Sequence, residues 1–397
     1  MTEPGAPPVA YLDHAATSPV RPGVAEAMAP FAAERFGNAS GSHRLARDAR
    51  LAVEEAREQV ADVLGADPAE VVFTSGGTEA ANLAVLGTLA DRARTGETVG
   101  AVCSAIEHSA VLEPMRAAAR GAAAVLGVGA VTVHEVGVST DGVIDLDHLC
   151  RVLGPHTALV SVMTANNEVG TVQPIEAVAD LVRRRAPASA LHTDAVQAAP
   201  YVDLAVAAGA CDLVSVSAHK VGGPKGVGAL VVRAPHQLVP MLRGGGQEHE
   251  RRSGTHDVAG IVGFATALRA AAVSRGGEAA RVTALRDRLA DALGCAIPNT
   301  VESAPRSVVL PGHCHLRFAG VQQEELLVLL DRDGVCASAG SACASGAIEP
   351  SHVLLAMGVP PGDADSGIRF SLGYTTTEAE VDRAVDVVVS AVARLRR

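Results

Sequence analysis

The 397-residue chain is expected to fold as an α/β protein: a mostly parallel sheet flanked by helices, followed by a smaller α+β domain. Three observations predict this. Short apolar runs alternate with helical patterns through the first two thirds of the sequence. Hydrophobic residues make up 48%, much of it alanine and valine, and aromatics only 2%, a composition suited to helices packed closely on a parallel sheet. The length also exceeds what one hydrophobic core ordinarily organises, so two domains are expected.

Taken in order, VVFT (71–74) is a short buried strand, followed by a glycine turn and a helix from Thr78 to about Ala93. AVCSA (101–105) and ALVSVMTA (158–165) are strands, the second followed by the helix IEAVADLVRRRA (175–186). ALHTDA (190–195), DLVSVSA (212–218) and GALVVR (228–233) complete the strands of the first domain. MLRGGGQEHERRSGT (241–255) is glycine-rich and charged, an ordered functional loop before a helix from about Val258. The domain change is placed near residue 265, giving a large domain over 20–265 and a small one over 266–397. The second contains a helical segment (279–293), the strand HLRF (315–318), the helix QEELLVLLDRD (323–333), a small-residue loop, IRFSLG (368–373) and an amphipathic helix (377–396).

Composition narrows the function. A net charge of −11 with no basic block gives nucleic-acid binding little support. MTEPGAPPVA lacks the basic and apolar regions of a secretory signal, and no run of 18 uninterrupted apolar residues suggests a membrane span, so a cytoplasmic protein is expected. Seven cysteines (103, 150, 211, 295, 314, 336 and 343) at wide spacings, with no CxxC pair, argue against a disulfide framework and against a structural zinc. Of 33 basic residues only Lys220 and Lys225 are lysines, both in SAHKVGGPKG. A bias towards arginine explains the rest of the chain but not why lysine is kept here. Lysine can shed its proton and form a Schiff base where arginine cannot, so one of the two is a candidate covalent catalyst.

Four places carry candidate chemistry. In TSGGTEAAN (74–82) a strand ends, Gly76 and Gly77 turn the chain, and a helix begins, which leaves free N–H groups for a phosphate; many such turns carry glycine merely to fit. Asp194 and Lys220 end two strands, where ligands of an open α/β sheet bind. A carboxylate there can keep a pyridine nitrogen protonated, though a helix N-cap or surface turn is the plainer reading of an isolated aspartate. His108 follows a strand and can stack on a cofactor ring or move a proton, or can be structural. Cys343, in ASAGSACASGAIEP (337–350), is surrounded by small residues that suit a mobile, accessible nucleophile. The run His313-Cys314-His315 hints at metal, but without a third ligand a partly exposed strand is expected and no metal site. GGPKGVG lacks phosphate-loop spacing and is taken as a turn that lets Lys220 approach a ligand.

Read together, YLDHAATSPV (11–20), GNASGSH (37–43), SGGTEAAN (75–82), EHSAVLE (107–113), ANNEVGTVQP (165–174), TDAVQ (193–197), SAHKVGGPKGVGAL (217–230), GGGQEHERRSGT (244–255), SAGSACASGAIEPSHVL (338–354) and IRFSLG (368–373) resemble the cysteine desulfurases of the NifS/IscS type, in the class V aminotransferase group of pyridoxal 5'-phosphate (PLP) enzymes. The resemblance covers nearly the whole chain. It implies the PLP transferase fold type I, with a seven-stranded sheet in the large domain and residues 1–19 packing on the small one. It implies removal of sulfur from L-cysteine to give L-alanine and a Cys343 persulfide, which is passed to a protein acceptor. By the same resemblance Lys220 binds the cofactor and moves the Cα proton, Asp194 pairs with the pyridine nitrogen, and His108 stacks on the ring. Gln197 and Asn167 lie by the ring substituents. Gly77, Thr78, Ser217 and His219 hold the phosphate, and Thr255 reaches the phosphate of the partner subunit in a homodimer. Asn38 and Arg369 bind the substrate carboxylate; an arginine fork suits that group.

The sequence departs from the family pattern at Val221-Gly222, Gly41 and His256, and it ends at ARLRR without a longer scaffold-docking tail. These departures leave the cofactor chemistry intact and the acceptor open among iron–sulfur assembly, tRNA thiolation, DNA sulfur modification and a dedicated biosynthetic pathway. A selenocysteine lyase, another class V aminotransferase, or a non-catalytic sulfur carrier that keeps the fold are the competing readings.

Overall fold

The structure, a computed structural model, describes residues 9–94, 99–121, 131–340 and 350–397. Its strands are β1 (Ala10–Tyr11), β2 (Val71–Thr74), β3 (Val99–Ser104), β4 (Val131–Val136), β5 (Thr157–Ser161), β6 (Ala190–Asp194), β7 (Leu213–Ser217), β8 (Gly228–Val232), β9 (Thr300–Glu302), β10 (His313–Phe318), β11 (Val335–Cys336) and β12 (Gly367–Ser371). The helices are α1 (Val24–Ala33), α2 (Arg44–Leu64), α3 (Gly77–Ala93), α4 (Ser109–Ala119), α5 (Leu146–Val152), α6 (Ile175–Arg185), α7 (Leu204–Ala207), α8 (Val258–Ala296), α9 (Gln323–Arg332), α10 (His352–Ala356), α11 (Pro361–Ala364) and α12 (Glu378–Leu395).

Seven strands form the main sheet in the order β2-β8-β7-β6-β5-β3-β4, and only β8 runs against the others. The strands β2, β5, β6, β7 and β8 are buried along their length because helices cover both faces, as their unbroken apolar runs require. Side chains alternate between two cores. Val71, Phe73, Val160, Leu191 and Val214 pack with α2, α6 and α8, whereas Val72, Leu159, Ala190, Leu213 and Leu230 pack with α3 and α4. The edge strand β4 is half exposed; its VTVHEV mixes polar and apolar residues and carried no clear strand signal in the sequence.

The helix α8 is one continuous rod of 39 residues, so residue 265 falls inside it rather than in a linker, and 279–293 is its second half. Up to Ala271 its buried residues belong to the core under the main sheet; from Val282 they belong to a separate core with β10, β12, α9 and α12. An 18-residue window of α8 has mean hydropathy 1.3, enough by length and composition to cross a membrane, and half of that window is buried in the protein. The second core is built on the antiparallel sheet β12-β10-β9. The N-terminal segment joins it: β1 pairs in parallel with β11, and Ala10 and Leu12 are fully buried there. The amphipathic α12 opens on a reciprocal cap between Thr377 and Glu380.

The expectation of a partly exposed strand at His313–His315 is corrected. All three side chains are buried, because β10 is the middle strand of its sheet. His315 bonds Ser303 at 2.8 Å, Cys314 faces the apolar core, and His313 lies against Gly170 with neither ring nitrogen hydrogen-bonded.

Candidate active site

Five parallel strands deliver the site at their carboxyl ends, the edge at which open α/β sheets bind ligands. β2 leads through Ser75-Gly76 into α3, β3 leads to Glu107-His108 before α4, and β5 leads to Asn166-Asn167. β6 ends on Asp194, and β7 ends on Ser217, two residues before His219 and three before Lys220. Gly77, His108, Asn167, Asp194, Ser217, His219 and Lys220 are thus brought to one edge by the topology.

Lys220 closes a single 3₁₀ turn (Ala218–Lys220), after which Gly222 turns the chain at φ 84°. A Cβ at Gly222 would lie 2.6 Å from Arg21 Cγ and 3.1 Å from the Pro19 carbonyl oxygen, so glycine is needed both for the turn and for the close approach. The Lys220 amine donates to the carbonyls of Ala15 (2.5 Å) and Ala16 (2.8 Å). Burial, reinforced by the Arg369 charge, lowers its pKa to about 8, against the opposing pull of Asp13 and Asp194. The neutral amine needed for a nucleophile is therefore accessible near physiological pH.

Asp194 is buried, which sets aside the surface-turn reading; its Oδ1 accepts the Val196 N–H at 2.9 Å. Burial raises its pKa, and the Val196 amide, His108, Lys220 and a hydrogen bond from Ser215 act against that rise. His108 caps α4 by accepting the Ala110 N–H on Nδ1 at 3.1 Å. A neutral ring so bonded carries its proton on Nε2. Burial and Lys220 favour that neutral form, and Asp194 opposes it. Next to it Glu107 is fully buried: one oxygen accepts the Met163 N–H at 2.6 Å, the other has no partner, and burial and Asp194 hold its carboxyl well above the usual range.

The phosphate candidates converge in part. A Cβ on Gly77 would sit 2.8 Å from Val196 Cγ2 and 3.4 Å from Ser217 Cβ, so the start of α3 lies directly against Ser217. Thr78 is on the exposed side of that turn. His219 bonds Thr17 Oγ1 through Nδ1 at 3.2 Å, and burial with Lys220 and Lys225 lowers its pKa to about 4. Glu79, the one acid of the first turn, pairs with Arg252 at 2.8 Å, so its charge is matched and does not oppose an anion at the helix start.

The loop over 241–255 is ordered, as expected, by a device the sequence did not disclose. Glu248, His249 and Glu250 take left-handed φ of 51°, 56° and 64° in succession, a strained run for residues with side chains. The buried Glu248 carboxylate holds the turn by accepting from Arg57 (2.8 Å), the Phe73 N–H (2.7 Å) and His256 (2.6 Å). Burial alone would raise that carboxyl, but the bonds from Arg57 and His256 outweigh it and bring it to about 2. Thr255, at the end of the loop, is exposed.

Gln197 is buried and donates to the Ala15 carbonyl at 2.8 Å, so it and Lys220 share one backbone contact. Arg369, also buried, donates to the Asn167 carbonyl and pairs with Asp13, both at 2.8 Å, while its Nε has no partner. Asn38 stands apart. Its side chain is exposed and accepts the Ser40 N–H at 3.0 Å, and among the described residues no hydrogen bond ties it to Arg369. Cys343 lies outside the described residues.

Several contributors were not singled out from sequence. The backbone of Ala15 and Ala16, Asp13 as the partner of Arg369, and Glu107 are three. A fourth is Asn166, whose side chain donates to Ile106 O and accepts from Glu168 and Val169 N–H, fixing the loop that carries Asn167. The segment 11–20 was part of the resemblance, but nothing in its composition showed that carbonyl groups there would hold the lysine.

The chain is similar to known proteins over nearly its whole length. Residues 10–384 match the class-V aminotransferase family. The chain is 43% identical to an IscS-like cysteine desulfurase of Mycobacterium tuberculosis over 98% of both chains. It is 41% identical to cysteine desulfurase IscS of Dictyoglomus turgidum, covering 97% of this chain and 95% of that one. A solved NifS-like protein superposes with a TM-score of 0.88 at 35% identity, over 97% of this chain and 100% of the other. The chain therefore belongs to the class-V aminotransferase family, and within it to the cysteine desulfurases of the IscS/NifS type.

Proposed function

We propose that this protein is a PLP-dependent cysteine desulfurase that converts L-cysteine to L-alanine and retains the sulfur as a persulfide on Cys343. The observation that carries the reading is the buried amine of Lys220, pKa about 8, at the same sheet edge as the buried carboxyl of Asp194. The residues fit PLP. Gly77 leaves open against Ser217 a space that a Cβ would fill, and the start of α3 offers N–H groups to a phosphate; Thr78, Ser217 and His219 would complete that hold. Asp194 would meet the ring nitrogen, with His108 over the ring and Asn167 and Gln197 at its substituents.

Bound PLP would supply an aldehyde for the lysine and an electron-withdrawing ring that acidifies the substrate. The chain's own groups do the rest. Lys220 Nζ, neutral in useful proportion near pH 8, takes the proton from the substrate Cα and returns one later. Arg369, with its unpartnered Nε, receives the substrate carboxylate; an incoming carboxylate would compete with Asp13 for it. The Cys343 thiolate attacks the substrate sulfur, so that an S–S bond forms as the C–S bond breaks. Thr255, exposed at the end of a braced loop, would reach the phosphate bound by a partner subunit, making the working unit a homodimer. We place the reaction in the cytoplasm, where the six described cysteines, all free thiols, would stay reduced. The persulfide then passes to a protein acceptor.

Incubation of the PLP-loaded protein with L-cysteine and a thiol reductant should release alanine and sulfide in equal amounts. Cys343→Ala should bind PLP and cysteine yet release no sulfide. Sulfide at the wild-type rate from that variant would rule out the persulfide route, and survival of amino transfer without it would favour an aminotransferase.

A further inference from the structure

On the face of the main sheet covered by α3, the apolar pattern gives way to a polar row. β5 presents Leu159 then Ser161, β6 presents Ala190, His192 and Asp194, and β7 presents Leu213 then Ser215. Ser161, His192 and Ser215 are completely buried. Ser161 Oγ lies 2.8 Å from His192 Nδ1, His192 Nε2 lies 3.2 Å from Ser215 Oγ, and the Ser215 hydroxyl bonds the Asp194 carboxyl.

The directions follow from donor inventory. An ionised carboxylate only accepts, so the Ser215 hydroxyl must donate to Asp194. The Ser215 oxygen then receives the proton on His192 Nε2. That leaves His192 Nδ1 bare, to accept from the Ser161 hydroxyl. His192 stays neutral, since burial lowers its pKa to about 3. Every donor in the line points towards Asp194, an arrangement in which each bond strengthens the next.

We propose that His192 and Ser215 are positioning residues for Asp194: their one-way line of hydrogen bonds keeps its carboxylate ionised and oriented towards the pyridine nitrogen. The inference rests on the PLP reading above. It gives purpose to a polar row that the apolar sheet would otherwise be better without. Asp194 needs such support because its charged surroundings are not fixed. Lys220, beyond β7, changes charge near pH 8; His108, at the start of α4, is held towards its neutral form; Glu107, after β3, is a second buried acid that burial and the Asp194 charge keep protonated, so it supplies no compensating charge. Among the described residues, only the Val196 amide and the Ser215 hydroxyl donate to it at every pH.

The test loads the full-length protein with PLP labelled with ¹⁵N in the ring and follows the pyridine ¹⁵N chemical shift with pH, together with PLP affinity and melting temperature. The wild type should show a protonated ring between about pH 6 and pH 9. Ser215→Ala should move the signal towards that of unprotonated pyridine within that range and weaken PLP binding about tenfold, as loss of a hydrogen bond to a charged group implies. Ser161→Ala, at the far end, should move it less and in the same direction, and Asp194→Asn marks the limit of complete loss. A Ser215→Ala protein whose ¹⁵N signal matches wild type at every pH overturns the proposal, even if its melting temperature falls, because a purely structural role predicts that result. Should Ser215→Ala fail to fold, an unchanged signal in Ser161→Ala overturns it instead. A wild type that binds no PLP, or binds it with an unprotonated ring, refutes the cofactor reading itself.

Discussion

At the scale of single residues, the chemistry depends on what burial does to an amine. An ordinary lysine holds its proton until about pH 10.4; Lys220 is brought to about 8 because burial and Arg369 both penalise its cation. Only the neutral amine attacks an aldehyde, so the rate at which PLP-free protein captures PLP should rise as pH increases from 7 to 9, with a midpoint near 8, followed by absorbance. A midpoint near 10 would mean that the amine is solvated and ordinary. Arg369→Ala should raise the midpoint by removing a neighbouring positive charge, and should also weaken capture of the substrate carboxylate. Lys220 and Asp194 were legible in the sequence because lysine is scarce and because Asp194 closes a strand and Lys220 comes three residues after the end of another. Ala15 and Ala16 were not legible: they act through carbonyl groups, which every residue possesses, and only the folded path of the N-terminal segment brings them to Lys220.

At the scale of elements, one ion pair holds the turn that presents Thr255. Arg57 on α2 and Glu248 are both almost wholly buried, and three left-handed residues in a row persist only because that contact over-determines them. Glu248→Gln removes the buried charge that faces Arg57 and leaves that guanidinium only its half-exposed partner Glu54. It should lower stability by about 3 kcal/mol, read by denaturant unfolding, and should cost more than any change to the exposed Arg288–Glu378 pair. The pH sign follows from a carboxyl that is more acidic folded than unfolded. Its contribution is complete above the ordinary value of 4.5 and is lost as pH falls towards about 2, so Glu248→Gln and wild type should converge in stability at the acidic end. Elements with unbroken apolar runs, such as β5 to β8, were readable from pattern alone. The edge strand β4 was not, because half of it faces away from the core, and neither was the unbroken length of α8, where a helix from about Val258, a domain change near 265 and a helical segment over 279–293 turn out to be one rod.

At the scale of the whole molecule, two cores share α8, and the N-terminal strand crosses from the small sheet to the lysine, so the site is assembled from both ends of the chain. Asn38 and Thr255, two residues the family resemblance assigns to the site, are exposed in the single chain. The homodimer proposed above would account for this. The protein should run in solution at twice the 40.3 kDa chain mass, and dilution or interface substitutions that give monomers should lose PLP affinity in parallel. Monomers that hold PLP as tightly as the parent would refute the shared site.

The central claim, a covalent role for the amine at position 220, has a direct measurement. The PLP-loaded protein is reduced with borohydride, digested and analysed by peptide mass spectrometry; with only two lysines in the chain the assignment is unambiguous. A phosphopyridoxyl group on Lys220 and none on Lys225 is the predicted result; label on Lys225 alone, or on neither, would contradict the account.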